Sequence, residues 1–433
     1  MKNSQKLYSR LLTEIENTPV IDIHTHVKPG SPQAGSLYEM AAYHFVTADL
    51  DCAGMPEEPV TKNSLTDYRR LEKMVPYFKY CRNTGTFQCL KAILEDLYGI
   101  EDPLGKNWEK SFEAVENSSR DKDWANKILK ENCNIKHIVV DYAETVKNPV
   151  LDPAFSSFTL ERGALSFRAD TFDQITEFAG EKYIGSAAEL REIVRKYINK
   201  KVPVCVKSVT TGLEAGFSFP EIHESEIDSF LMKTRSNEIS MEVWWGNNRS
   251  ANLQNRFKLQ SFIFHEAMKI YQERNIKVVL SVGARAMHFN NKSFTCHTTD
   301  DAQRLAEIAF RYKRVQFFVA NCSRALAQEL TILSKVLPNL CLAGYWWHGM
   351  YPEYVGQALA EKLDVISYNK ILGFFSDAYM AEWVYGKLSL VRKETARILA
   401  DKVLRGYYTE ELAQDIIKKM FYENPRELYG LSF

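Results

Sequence analysis

Two histidines one residue apart, His24 and His26, stand at the end of the apolar run Val20-Ile21-Asp22-Ile23, just before the chain breaks at Pro29-Gly30. Side chains alternate faces along a strand, so residues two apart point the same way. Imidazoles held side by side are costly to bury unless something satisfies their nitrogens. A divalent transition metal does that, and a carboxylate from another strand completes a ligand set with positions left open for water or substrate. Asp377, in Phe374-Phe375-Ser376-Asp377, is the candidate third ligand.

The elements that must position these residues are legible as short apolar runs, the pattern of strands buried on both faces. They are Val20–His26, Ile135–Tyr142, Leu165–Ala169, Val202–Val209, Val278–Ala284, Val315–Cys322, Leu340–Trp347 and Ile371–Asp377. Amphipathic helical segments separate most of the later ones. Ser186-Ala-Ala-Glu189 is a capping box opening a helix with Leu190, Val194, Tyr197 and Ile198 inward. Thr298-Thr-Asp-Asp301 opens another with Leu305, Ile308 and Tyr312 inward, and a last helix lined by Leu412, Ile416 and Met420 is expected to stop at Asn424-Pro425.

Eight such strands with intervening helices predict an α/β fold, a distorted (β/α)8 TIM-type barrel formed by residues 1–433 as one unit. The long helix-rich stretch 36–132 is expected to be a helical insertion after the first strand, above the barrel mouth. Segment 210–255, with Gly212, Gly216 and Pro220, is expected to be an extended loop with one helix.

Function in such a barrel sits at the C-terminal ends of the strands. Those ends offer His24 and His26, Asp141, Arg168, Lys207, Ser281, Asn321 and Cys322, Trp346 and Trp347, and finally Asp377, which closes the barrel beside the first strand. The metal reading of His24, His26 and Asp377 follows from that placement.

The same residues resemble the amidohydrolase superfamily, whose members begin with HxH on the first strand and end with Asp on the last. The match narrows to the uronate isomerase family, which this chain resembles in order along nearly its full length. The matching residues are the HTH of 24–26, Tyr43-His44, Arg168, Ser218-Phe219-Pro220-Glu221, Ser323-Arg324, Gly344-x-Trp346-Trp347 and Ser376-Asp377-Ala378. The resemblance implies aldose–ketose isomerisation of a hexuronate such as glucuronate or galacturonate, with one divalent metal, zinc, on His24, His26 and Asp377. Asp377, or water on the metal, would be the base, with His44 also catalytic. Arg168 would clamp the substrate carboxylate as a bidentate fork, and Trp346, Trp347 and Arg324 would complete the sugar site.

Two departures from the family pattern bear on substrate. The family's Tyr-His-Tyr is Tyr43-His44-Phe45 here, and its Ser-Asp-x-Arg is Ser376-Asp377-Ala378-Tyr379. Arg285, Arg324, His288 and His348 are the candidates to compensate. Lys207 is expected to be a polar or ion-paired barrel residue rather than a carboxylated bridge between two metals, because Ser281 and Asn321-Cys322 stand where histidines would be needed. A mononuclear hydrolase or decarboxylase on the same scaffold, and a non-catalytic sugar-acid binder, are the competing readings.

Composition frames these expectations. Lys+Arg and Asp+Glu balance at 55 each, which argues against nucleic acid or an anionic membrane as partner. The eight cysteines form no CxxC pair, and Cys205, Cys322 and Cys341 sit inside apolar runs. That usage, with no signal-like or membrane-spanning segment, predicts a cytoplasmic protein. A homo-oligomer is expected, with a small sugar acid as the ligand.

Overall fold

In the computed structural model, residues 2–62, 64–140, 156–158, 175, 177–180, 184–201, 208–212, 219–235, 249–286, 293–295, 300–346 and 348–431 are described. The strands are β1 (Val20–Thr25), β2 (Ile135–Val140), β3 (Ser156–Phe158), β4 (Ser208–Gly212), β5 (Lys277–Val282), β6 (Ala284–Ala286), β7 (Ser293–Thr295), β8 (Phe317–Asn321), β9 (Leu340–Ala343) and β10 (Ile371–Leu372). Parallel pairing runs β1-β2-β3 and β10-β9-β8-β5-β4, while β6 and β7 form a separate antiparallel pair.

Backbone hydrogen bonds join the two parallel sheets where the chain's last strand meets its first. Ile23 N–H reaches Phe374 O at 3.4 Å, Asp377 N–H reaches His24 O at 3.0 Å, and His26 N–H reaches Ala378 O at 2.8 Å. The strand order around the sheet is therefore β4-β5-β8-β9-β10-β1-β2-β3, that of a TIM-like barrel.

Alternation along the strands sorts the apolar residues into two sets. Ile21, Ile23, Val139, Val279, Phe318, Ala320, Cys341, Ala343 and Leu372 pack together inside the barrel, with Cys322, Trp346 and Phe375 just beyond the strand ends. Their neighbours Val20, Ile138, Val278, Leu280, Phe317, Leu340 and Ile371 face the surrounding helices. A period of two on strands covered on both sides requires apolar residues at every position.

Among the described residues, the elements between β1 and β2 are helical, from Leu37–Ala41 to the π-helical turn Ile128–Asn132. The later helix Ala381–Leu404 runs buried for most of its length. It packs against the N-terminal helix Lys2–Asn17, the helix Gly85–Tyr98 of the β1–β2 segment and Pro352–Val365. Ser186 caps the helix as expected, its Oγ accepting from Glu189 N–H at 3.1 Å, while Glu189 Oε2 reaches one residue further back than a capping box requires, to Gly185 N–H at 2.6 Å.

Some expectations need revision. Two strands stop short of the apolar runs that announced them: β9 ends at Ala343 and β10 at Leu372, because the backbone then bends toward the site, with Gly344 at φ 50°, whereas β4 runs past its expected end at Val209 to Gly212. The strand beside β2 is Ser156–Phe158, while the run 165–169 lies outside the described residues, as do 202–207. The chain does not stop being helical at Asn424-Pro425. Helix Glu410–Lys418 continues through a π-helical turn, and Pro425 lies in the first turn of a further helix, Asn424–Tyr429. Proline is tolerated there because the first-turn N–H has no intrahelical partner to lose.

Candidate metal centre

β1 delivers the two histidines, but not by simple alternation. Ile21 and Ile23 already hold interior positions, and the register against β2 slips between Asp22 and Thr25. Such slips re-aim side chains, and here His24 comes to stack on the interior residue Phe375, ring centroids 4.5 Å apart and nearly parallel. The Nε2 atoms of His24 and His26 face each other at 3.3 Å.

Asp377 meets them from the other end of the chain. Its backbone is left-handed, φ 48°, a conformation that costs a non-glycine residue about 1–2 kcal/mol. Oδ1 lies 3.1 Å from His26 Nε2 and 3.5 Å from His24 Nε2. All three side chains are buried.

This arrangement fits a metal ion. The contacts are short, yet no aligned hydrogen bond ends on Oδ1 among the described residues. A proton between any two of these atoms serves two of them, whereas a cation serves all three. Tetrahedral zinc, with bonds of roughly 2.0–2.1 Å, places its ligand atoms roughly 3.3 Å apart, which is the spacing observed. Among the described residues this is the group of three ligands close enough to hold an ion.

The surroundings keep the carboxylate ionised and aimed. Trp346 Nε1 donates to Oδ2 at 3.1 Å, which leaves Oδ1 to face the imidazoles. Burial alone would raise the Asp377 carboxyl. The two imidazoles beside it outweigh burial and hold it well below the ordinary carboxylate range. Its carbonyl accepts the Tyr43 hydroxyl at 3.1 Å. Buried Lys387 donates to the carbonyls of Ser376 at 2.6 Å and Asp377 at 3.3 Å, and to Tyr43 Oη at 2.8 Å. Asp22 Oδ1 receives the N–H of Ser376 at 3.0 Å.

Aromatic rings form the rim. Tyr379 stacks on His26 at 5.2 Å, keeps 39% of its surface exposed, and meets Tyr43 and His44 edge-on at 5.9 and 6.0 Å. His44 is exposed at the start of helix His44–Cys52, 4.1 Å from the ring of Phe45. The two departures from the family pattern, Phe45 and Tyr379, thus belong to one cluster beside the histidines.

Of the other expected residues that are described, Arg324, His348 and Asn321 have partners other than the three candidate ligands. Arg324 is exposed and bonds Gln357 on helix Pro352–Val365 rather than any of the three ligands. His348 bonds the carbonyl of Cys322 and packs on Tyr354 at 3.9 Å. The Asn321 side chain closes on the backbone of Ser323. Arg168, Trp347, Asp141, Lys207 and His288 lie outside the described residues, as does the side chain of Arg285.

Sequence reasoning missed Lys387 and Phe375. Lys387 carries a signal in retrospect: it stands four residues after Trp383 and four before Val391, on the apolar face of its helix.

No protein-family model matches the sequence, and no curated protein matches it by sequence. Solved structures do match in shape. A glucuronate isomerase from Caulobacter crescentus superposes with a TM-score of 0.81 at 14% identity, over 99% of this chain and 95% of that one. Its fold is that of the uronate isomerases. A uronate isomerase from Bacillus halodurans C-125 gives 0.75 at 18% identity, over 99% of this chain and 97% of its own. A uronate isomerase from Thermotoga maritima gives 0.74 at 14%, over 98% and 97%. The uronate isomerase likeness extends over the β1–β2 helical segment as well as the barrel, as the near-complete coverage requires. Among the described residues, no helix is long and apolar enough to cross a membrane.

Proposed function

We propose that this chain is a metal-dependent aldose–ketose isomerase acting on a hexuronate such as glucuronate or galacturonate, or on a related sugar acid. The observation that carries the reading is the convergence of His24, His26 and Asp377 at the seam of a uronate isomerase-like barrel. Zinc is the ion that this donor set suits, and when bound it stabilises negative charge developing on the substrate's oxygens.

The chain's own residues supply the rest. Asp377, ionised and oriented by Trp346, takes the proton from C2 of the open-chain aldose and returns it at C1 of the enediolate. His44, beside the Tyr379 ring, assists proton movement between the substrate hydroxyls in this reading. Trp346 and Tyr379 wall the sugar. Arg168 and Trp347 are assigned to the carboxylate and the sugar face by the family resemblance, and Arg324 to the outer part of the same site. The protein is proposed to work as a cytoplasmic homo-oligomer, with the helical 36–132 segment as an insertion in a single barrel.

The test is to incubate metal-loaded protein with a panel of hexuronates in D2O and follow the C2 proton by NMR. Loss of that signal, or appearance of the ketose, is expected, and Asp377→Asn is expected to reduce the rate about a hundredfold or more. If protein shown to carry metal exchanges no proton with any uronate, the reading is wrong.

A further inference from the structure

Lys387 is 3% exposed in the second turn of helix Ala381–Leu404, and among the described residues it forms no salt bridge, the charges of Asp377 and Asp22 acting on it from longer range. Burial of an ammonium is costly unless its protons are all taken up. Here three acceptors take them: the carbonyls of Ser376 and Asp377 and the hydroxyl of Tyr43. Tyr43 in turn donates to the Asp377 carbonyl. Every one of these bonds ends on the two residues that turn the chain after β10, or on the ring that backs them. The same turn contains the left-handed backbone of Asp377. An apolar side chain of equal length would fill the same volume in a helix already lined with apolar residues, so the lysine serves the turn rather than the packing.

We infer that Lys387 is a positioning residue: with Tyr43, it holds the Ser376–Asp377 turn in the conformation that aims the Asp377 carboxylate at His24 and His26, and so sets the affinity of the metal site. The inference rests on the metal reading of the three ligands. Lys387 touches none of the three ligand atoms; it acts through the backbone that carries one of them.

The experiment compares the native chain with Lys387→Met, Lys387→Arg and Tyr43→Phe. Zinc affinity is measured by chelator competition, ligand geometry by the visible absorption of the cobalt-loaded protein, and integrity by circular dichroism and thermal unfolding of the metal-free protein. Lys387→Met is expected to fold and to bind zinc roughly ten- to a hundredfold more weakly, the range seen when groups that orient metal ligands are removed, with an altered cobalt spectrum. Lys387→Arg, which keeps the charge and donors, is expected to recover part of the affinity. Tyr43→Phe removes one strut and is expected to weaken binding several-fold. Native affinity and an unchanged spectrum in folded Lys387→Met overturn the inference. If that variant does not fold, native affinity in Tyr43→Phe overturns it. Failure of the native chain itself to bind zinc or cobalt overturns the metal reading instead.

Discussion

At the scale of single residues, the candidate site divides into atoms spaced to hold a cation and rings that surround them. His24, His26 and Asp377 form the first group. Tyr379, stacked on His26 and half-open to solvent, leads the second. An aromatic face stabilises a contact of this kind by about 1 kcal/mol, so Tyr379→Ala is expected to raise KM several-fold while kcat changes less. Steady-state kinetics with the substrate found in the exchange experiment checks this, and unchanged KM would remove Tyr379 from the sugar site. The convergence of His24, His26 and Asp377 was legible in the sequence because it is carried by residue type and by position at strand ends. Phe45 and Tyr379 were legible as departures from a family pattern, but their meeting in one aromatic cluster was not. Nor was the engagement of Arg324 with Gln357, since a surface arginine's partner depends on which helix packs beside it.

At the scale of elements, β9 and β10 stop before their apolar runs do, and the residues after them bend to build the site. Gly344 shows why. A Cβ there would lie 2.3 Å from Phe375 Cβ and 3.0 Å from Phe375 N, at a φ of +50° that disfavours side chains in any case. Phe375 is the ring that supports His24. Gly344→Ala is therefore expected to destabilise the fold by about 2–4 kcal/mol, measured by urea denaturation, and to loosen zinc as Phe375 shifts. Periodicity located the cores of β1, β2, β5, β8 and β9 well, since apolar runs follow from burial on both faces. It missed where they end, because a strand end is fixed by backbone contacts such as Asp377 N–H to His24 O, which carry no residue-type signature. It also missed the helix after Asn424, where Pro425 begins an element rather than ending one.

At the scale of the whole molecule, a second buried carboxylate ties distant segments together. Glu382 accepts the N–H of Ala34 at 3.3 and 3.1 Å and the Tyr98 hydroxyl at 3.2 Å, and Tyr98 accepts Trp124 Nε1 at 3.3 Å. Burial pushes its carboxyl from an ordinary 4.5 up to about 7, against the hydrogen bonds that favour the ionised form. The folded state then binds a proton that the unfolded state has released between those two values, so stability contributed by this group falls as pH rises through that window and levels off above it. Glu382→Gln is expected to flatten that decline, gaining about 3 kcal/mol on the native chain at pH 8 relative to pH 4.5. Denaturant titrations at the two pH values check it, and parallel curves would remove Glu382 as the source. The seam between β10 and β1 has a further consequence, one of timing. His26 and Asp377 are joined across almost the entire chain, so no nascent fragment short of residue 377 can own the site. Any ion that engages all three residues selects the joined seam over every form in which the two ends of the chain stand apart, and so acts as a clasp on the fold.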